Sequence, residues 1–369
     1  MSSRGPLAGL RVLELAAIGP APFGCMLLAD LGAEVLLVER PETAAVTHAA
    51  HTVLFRNRRR VVTDLKRPDG VATVLDLAAD ADVLVEGFRP GVAERLGIGP
   101  EECAGRNPRL VYARMTGWGQ HGPLARTAGH DINYLAQSGA LGALGPAGQP
   151  PVPPLNLLGD FGAGGMLLAF GILAAVHEAR ASGLGQVVDA AILDGTTSTL
   201  AMLSALRAAG AWSDERGANL FDGGAAYYGT YECADGGFIA LGAVEPRFYD
   251  QLLDGLGLDP ETLPDRHDPA GRERLRAIFE ETIKGRTRQE WTTVFAGTDA
   301  CVNAVLTPAE AVTDRANAER GTWIELDGTP QPAPAPRFSR TPAPAPHNHT
   351  EPERQPVTWT APPRHEPRR

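Results

Sequence analysis

The chain has 369 residues, 43% hydrophobic and 21% charged, with a formal net charge of -10 and a pI near 5.4. Such a length can bury a large core in two domains, and the acidic balance excludes a general pull toward nucleic acid or anionic membrane. Any phosphate binding must then come from a local basic cluster. Four scattered cysteines (Cys25, Cys103, Cys233, Cys301) lack C-x-x-C spacing, as expected of reduced thiols. The N-terminus has no apolar signal region and no run reaches 18 uninterrupted apolar residues, so a cytoplasmic protein without a membrane span is expected.

Residues 10–15 read as a strand, 22–31 as a short helix ended by Gly32, and 34–39 as a second strand. Strand, helix and strand in about 30 residues make a βαβ unit and hence a parallel sheet. A helix over 69–79, a strand over 83–86, a short helix near 92–96 and a strand over 110–115 continue the pattern, so the fold class is α/β with a Rossmann-like large domain. The first βα turn, Gly19-Pro20-Ala21-Pro22-Phe23-Gly24, is not a G-x-G-x-x-G fingerprint, and no G-x-x-x-x-G-K-[ST] occurs. Nicotinamide dinucleotide is therefore not the expected ligand. The run 166–176 is apolar nearly all round, the pattern of a buried helix, and a strand follows at 187–189. A helical stretch over 195–209 connects to a second, smaller α+β domain, with a turn at Asp235-Gly236-Gly237 and helices over 246–256, 273–283 and 288–296. The domains are drawn as 1–191, a helical linker 192–225, the small domain 226–318, and a proline-dense, disordered tail 346–369.

The densest polar chemistry lies in Gly129-His130-Asp131-Ile132-Asn133-Tyr134 and, about thirty residues on, Asn156-Leu157-Leu158-Gly159-Asp160-Phe161-Gly162-Ala163-Gly164-Gly165. His130 at a helix start is either a capping or buried histidine or an acid–base group. Asp160 is either a helix N-cap or a carboxylate that moves protons beside free backbone N–H groups. Glycines after it are poor helix formers, and their expected purpose is close approach of a ligand to the backbone. The basic residues fall into the run Arg56-Asn57-Arg58-Arg59-Arg60 with Lys66 behind it, and Arg89 with Arg95 after the strand at 83–86. With Arg40, they suggest an anionic, phosphate-bearing ligand; a solvated face is the other reading of the arginine run. His48, His51 and His121 lack ligand spacing with any cysteine or acid pair, and the H-x-H of His347 and His349 in the proline-rich tail is not expected to bind metal.

These residues resemble the family III CoA-transferases and, within them, the alpha-methylacyl-CoA racemases. The resemblance runs over about 5–340, through 5–15, 29–35, Asp64-Leu65-Lys66, Glu86-Gly87-Phe88-Arg89-Pro90-Gly91, 112–120, 128–134 and 154–161. In the small domain it includes Asp222-Gly223-Gly224-Ala225 and Gly242-Ala243-Val244-Glu245-Pro246. It implies a C-terminal segment, about 330–345, that returns to complete the large domain. It also implies an interlocked homodimer whose active sites are shared between subunits. His130 and Asp160 become the catalytic acid–base pair and Glu245 the residue that orients His130. Arg40, Arg58, Lys66, Arg89 and Arg95 fall in the CoA-contacting set. Gly129, Asp131, Tyr134 and Asn156 would contact the thioester, with Met115 in an apolar wall. No cofactor or metal is implied, because CoA enters bonded to the substrate. The implied reaction inverts the 2-methyl centre of a 2-methylacyl-CoA by two-base proton transfer. The alternatives are CoA transfer between carboxylic acids with Asp160 as nucleophile, or acyl-CoA binding without catalysis. Asn303-Ala304 and Ala226 depart from the expected Thr-Pro and Pro.

Overall fold

Leucine- and valine-rich runs of the N-terminal half form a six-stranded parallel sheet in the computed structural model, which describes residues 4–41, 53–348, 351–353 and 357–360. The strands are β1 (Arg11–Leu15), β2 (Glu34–Glu39), β3 (Arg58–Val62), β4 (Val83–Glu86), β5 (Val111–Thr116) and β6 (Val187–Ala191), in the order β3-β2-β1-β4-β5-β6. That is a doubly wound, Rossmann-type order, and its direction reverses between β1 and β4. Helices α1 (Pro20–Asp30), α2 (Pro68–Ala79), α3 (Val92–Arg95), α4 (Pro100–Arg106), α5 (Asp131–Ser138), α6 (Met166–Ser182) and α7 (Ile192–Thr199) surround it. Leu28 of α1 and Leu168 and Ile172 of α6 bury against Val12, Val85 and Ala113. Val74 and Leu77 of α2 and Cys103 of α4 bury in a second cluster with Leu13 and Leu84. A sheet covered on both faces makes its strands near-continuous apolar runs, which is why most of them are readable in the sequence.

The exception is β3, whose sequence is Arg58-Arg59-Arg60-Val61-Val62. The arginine run is neither a solvated face nor a phosphate cradle. Arg56 places Nε 2.9 Å and Nη2 2.6 Å from the Asp30 carboxylate and its Nη1 3.1 Å from Gln331 Oε1, all buried. Arg58 donates from Nε to Glu14 Oε2 at 2.5 Å, and both side chains are 0% exposed. Arg59 pairs with Glu34 and Glu353, and Arg60 donates to Glu39 Oε2 at 2.6 Å. The assignment of Arg58 to the CoA-contacting set is therefore corrected: its charge is held inside the unit by Glu14. A buried guanidinium persists only where such partners neutralise it.

The chain divides into two compact units, the first made of residues up to Ala140, Pro154–Leu200 and those from Gly321 on. Within it, Leu157–Ser182 is one continuous helical stretch, long and apolar enough by length and composition to cross a membrane, with mean hydropathy 1.7. Here it is a core helix on one face only. Leu168 and Ile172 are fully buried, while Met166 and Phe170 stand 55% and 71% exposed, so the expectation of burial all round is met on one side.

The second unit comprises Leu141–Pro153 and Ala201–Arg320. It contains α8 (Ala201–Ala208), the antiparallel strands β7 (Tyr228–Glu232), β8 (Phe238–Gly242) and β9 (Val302–Ala304), and helices α9 (Pro246–Leu256), α10 (Arg272–Ile283), α11 (Arg288–Val294), α12 (Pro308–Thr313) and α13 (Arg315–Arg320). Ile239, Leu241, Leu252, Phe279 and Trp291 form its core. Segment 141–153, expected in the large domain, joins this unit because Arg216 donates to the carbonyls of Gly142, at 3.1 Å, and Gln149.

The chain then returns to the first unit with the hairpin of β10 (Trp323–Leu326) and β11 (Thr329–Pro332). The described residues of the stretch 346–369, expected to be disordered, instead lie along that unit. His347 O accepts from Asn57 N at 2.8 Å, Glu353 N donates to Arg60 O at 2.8 Å, and Trp359 Nε1 donates to Leu77 O at 3.1 Å. Val357 and Trp359 pack against the cluster that holds Leu77. Proline favours an extended chain but does not prevent docking when a tryptophan and a glutamate punctuate it. Trp359→Ala is expected to lower the unfolding free energy of this unit by about 1–2 kcal/mol, read by calorimetry.

Candidate active site

The C-terminal ends of parallel strands, near the point where strand order reverses, are where such folds bind ligands. Arg40 follows β2, Lys66 follows β3, Arg89 follows β4 and Arg95 ends α3, and all four side chains are exposed. The loop carrying Arg89 is braced from below. Glu86 at the end of β4 accepts the N–H of Phe88 at 2.5 Å. Arg114 of β5 reaches Glu86 at 3.6 Å, Glu94 beside Arg95, and Gln120 at 2.7 Å. The sequence reading missed Glu86 and Arg114. The signal was a charged residue in each of two largely apolar strands, at the end of β4 and inside β5.

Burial pushes the Glu86 carboxyl up to about 7, outweighing the Phe88 N–H and Arg114, which pull it down. An acid with a raised folded pKa stabilises the fold most below its unfolded value, near 4.5, and loses that contribution as pH rises through about 7. Relative to Glu86→Gln, the wild type should therefore lose up to about 3 kcal/mol of stability between pH 4.5 and 8. Parallel melting curves across that range check it; a constant difference would rule it out.

His130 is the residue immediately before α5, with extended backbone, and its N–H donates to Asn133 Oδ1 at 3.0 Å. His130 is thus the N-cap residue of α5, as the capping reading has it, but it is exposed rather than buried. Tyr134 is 8% exposed and donates its hydroxyl to Gly129 O at 2.5 Å, with Trp118 packed edge-on at 4.7 Å. A Cβ on Gly117 would lie 2.1 Å from the Tyr134 ring, so the turn after β5 can seat this tyrosine only because it has a glycine there. Tyr134 thus supports the 129–130 turn from beneath.

Asp160 is not a helix N-cap. It lies inside a π-helical segment, Leu157–Gly165, that runs on into α6. Its carboxyl is raised above the ordinary range by burial first and by the Asp131 charge second, while a hydrogen bond from Asn156 and the His130 charge lower it. His130, Asp131, Asn156 and Asp160 therefore come together in the first unit. Gly19 joins them, with φ 72° and its backbone placed so that an added Cβ would stand 3.5 Å from Asp160 Oδ2.

Three glycines of this run have a different purpose from the one expected. A Cβ on Gly165 would meet Phe23 Cδ1 at 2.6 Å and Pro20 O at 2.8 Å, and one on Gly164 would meet Pro20 Cβ at 3.1 Å. On Gly159 it would meet Asp131 Oδ1 at 2.3 Å. Gly159, Gly164 and Gly165 thus let α1 and α5 approach the π-helical turn and are packing positions, whereas a Cβ on Gly162 would meet only Leu157 O, at 3.0 Å. Met115, expected in an apolar wall, is 3% exposed inside the hydrophobic cluster. Glu245 is the exposed residue before α9, in the second unit. His48, His51 and His349 lie outside the described residues.

This Rossmann-type sheet, with basic residues at its strand ends and His130 and Asp160 in the same unit, lies within a match to the CoA-transferase family III. The family model matches residues 7–362, and the chain belongs to that family. The match continues past 340, where the motif resemblance stops. The chain is 47% identical over 337 residues to the alpha-methylacyl-CoA racemase of Mus musculus, covering 91% of this chain and 87% of that protein. To the alpha-methylacyl-CoA racemase of Homo sapiens it is 44% identical over 331 residues, 89% and 86% of the two. The acetyl-CoA:oxalate CoA-transferase of Acetobacter aceti is 30% identical over 349 residues, 89% of this chain and 88% of that protein. Among solved structures, a CAIB/BAIF family protein from Brucella suis matches with a TM-score of 0.81 at 26% identity, covering 92% and 94% of the two chains.

Proposed function

We propose that the protein epimerises the 2-methyl centre of 2-methylacyl-CoA thioesters by moving a proton between His130 and Asp160. The isomerase class rests on the 44–47% identity to racemases over about nine tenths of the chain, against 30% to a transferase of the same family. The observation that carries the mechanism is the exposed His130 imidazole beside a carboxyl whose proton affinity is raised. Inverting a carbon acid requires a proton to leave one face and another to arrive on the opposite face. That needs two groups on opposite sides of the carbon, one free to take a proton and the other carrying one. One base takes the α-proton, the thioester oxygen carries the enolate charge, and the other base returns a proton.

Arg40, Lys66, Arg89 and Arg95 supply the cationic rim for the CoA phosphates. Free backbone N–H groups beside Asp160 would suit the enolate oxygen. In the structure the N–H of Asp160 donates to Asp131 and that of Phe161 to Asn156 O, so these two are already used. Glu245 is read as the orienting partner of His130, contributed across a homodimer. Exposed Ile18, Leu155, Leu157, Met166 and Phe170 on the first unit supply an apolar surface for a second copy to cover. The four free cysteines, three of them buried, agree with a cytoplasmic, reducing setting.

Incubation of one 2-methylacyl-CoA epimer in heavy water tests the reading. α-Deuterium with epimerisation is the expected result. CoA transfer to an added carboxylate without α-exchange would replace it with the transferase reading, in which Asp160 is a nucleophile, and neither outcome would leave a binder.

A further inference from the structure

Asp131 differs from the two groups it stands between. Its side chain is 9% exposed, and its Oδ1 accepts the backbone N–H of Asp160 at 2.6 Å. That N–H is available for a specific reason. In an α-helix it would donate four residues back, to Asn156 O, but in this π-helical turn Asn156 O accepts from Phe161 N instead. The Asp160 amide is left over, and Asp131 takes it. Gly159 clears the space, because any Cβ there would stand 2.3 Å from the same oxygen. Asp131 is also the first residue of α5, joined by one peptide bond to His130.

We propose that Asp131 is a positioning residue for proton transfer: its carboxylate fastens the backbone of Asp160 to the helix start that carries His130, and so sets the spacing of the two bases. This rests on the epimerase reading above. It assigns the Asp131 carboxylate to holding the site together rather than to contacting the substrate. A two-base reaction is sensitive to such spacing, since the α-carbon must be within reach of both groups at once, and a misplacement of about 1 Å can cost about 10²-fold in rate. Asp131 has a second effect through charge. The charged and titratable groups that face Asp160 are Asp131 and His130, with Tyr134 next to them and Arg89 beyond it, and of these Asp131 opposes its ionisation most directly.

The test compares wild type, Asp131→Ala and Asp131→Asn, using full-length protein, a single 2-methylacyl-CoA epimer in heavy water, and kcat, KM and the pH profile of each. Asp131→Ala is expected to lower kcat and α-exchange about 10²-fold, with KM within about threefold of wild type. Asp131→Asn keeps an oxygen that can accept the Asp160 N–H, so it should recover about tenfold or more of that loss. In both variants the acid limb of the profile should move to lower pH, because a negative charge beside Asp160 is gone. Three results would overturn the proposal: an alanine variant with kcat within about threefold of wild type, a loss that falls on KM alone, or an asparagine variant as slow as alanine with an unmoved acid limb. If the alanine variant does not fold, the asparagine variant decides alone, and an unmoved limb overturns the proposal. A wild type that neither epimerises nor exchanges removes the epimerase reading and this inference with it. An active wild type with an unaffected alanine variant removes this inference only.

Discussion

His130→Ala and Asp160→Ala will each lower kcat for epimerisation by about 10³-fold or more, while the thioester binds within a few-fold of its wild-type affinity. The binding half of this follows from what is left in place: neither change removes the exposed cationic side chains of Arg40, Lys66, Arg89 and Arg95. The rate half follows from stereochemistry. With one base gone, the other can still remove the proton that faces it, but nothing stands opposite to return one. Each variant should therefore exchange the α-proton of one epimer, with retention, and leave the other epimer inert. The two variants should choose opposite epimers. Deuterium content by mass spectrometry and epimer ratio by chiral chromatography read both, and full epimerisation in either variant would refute the two-base assignment.

The second large effect is on stability. Arg58→Met should destabilise the first unit by about 3–5 kcal/mol, and Glu14→Leu by a similar amount, because each leaves an uncompensated charge in a site where both side chains are 0% exposed. The double replacement, which removes both charges and fills the space with apolar atoms, should recover most of the loss. The exposed pair Arg315–Glu319 is the internal control, where single substitutions should be nearly neutral. Calorimetric unfolding of the four proteins makes the comparison. Single variants that melt with the wild type would show the pair to be dispensable.

The same pair shows where sequence reading reaches its limit. Strands such as 34–39 announce themselves because both faces of the sheet are covered, so composition alone marks them. Arg58-Arg59-Arg60 does not, since an arginine looks the same in sequence whether its partner is a phosphate or a buried glutamate 44 residues away. His130 and Asp160 stood out among so many glycines, but their residue types left each open between a structural and an acid–base reading; only the family resemblance paired them, and the structure brings them together in the first unit. What could not be read was the use of those glycines. Their neighbours, Phe23, Pro20 and Asp131, are brought up by tertiary packing, and the π-helical register that frees the Asp160 amide has no sequence signature of its own. The docking of Trp359 was hidden in the same way, by a proline-rich context that describes the chain's stiffness but not its contacts.

The hydrogen bond from Arg56 Nη1 to Gln331 has a temporal side. The two residues are 275 positions apart, with the whole second unit emerging from the ribosome between them. At roughly 5–20 residues per second, Gln331 follows Arg56 by about 15–55 s. During that interval the sheet can assemble around Asp30, but one donor of a buried guanidinium waits without its acceptor. The unit that begins the chain is thus the one finished last, and the nascent protein must hold a partly closed sheet in solution while an entire second unit is made.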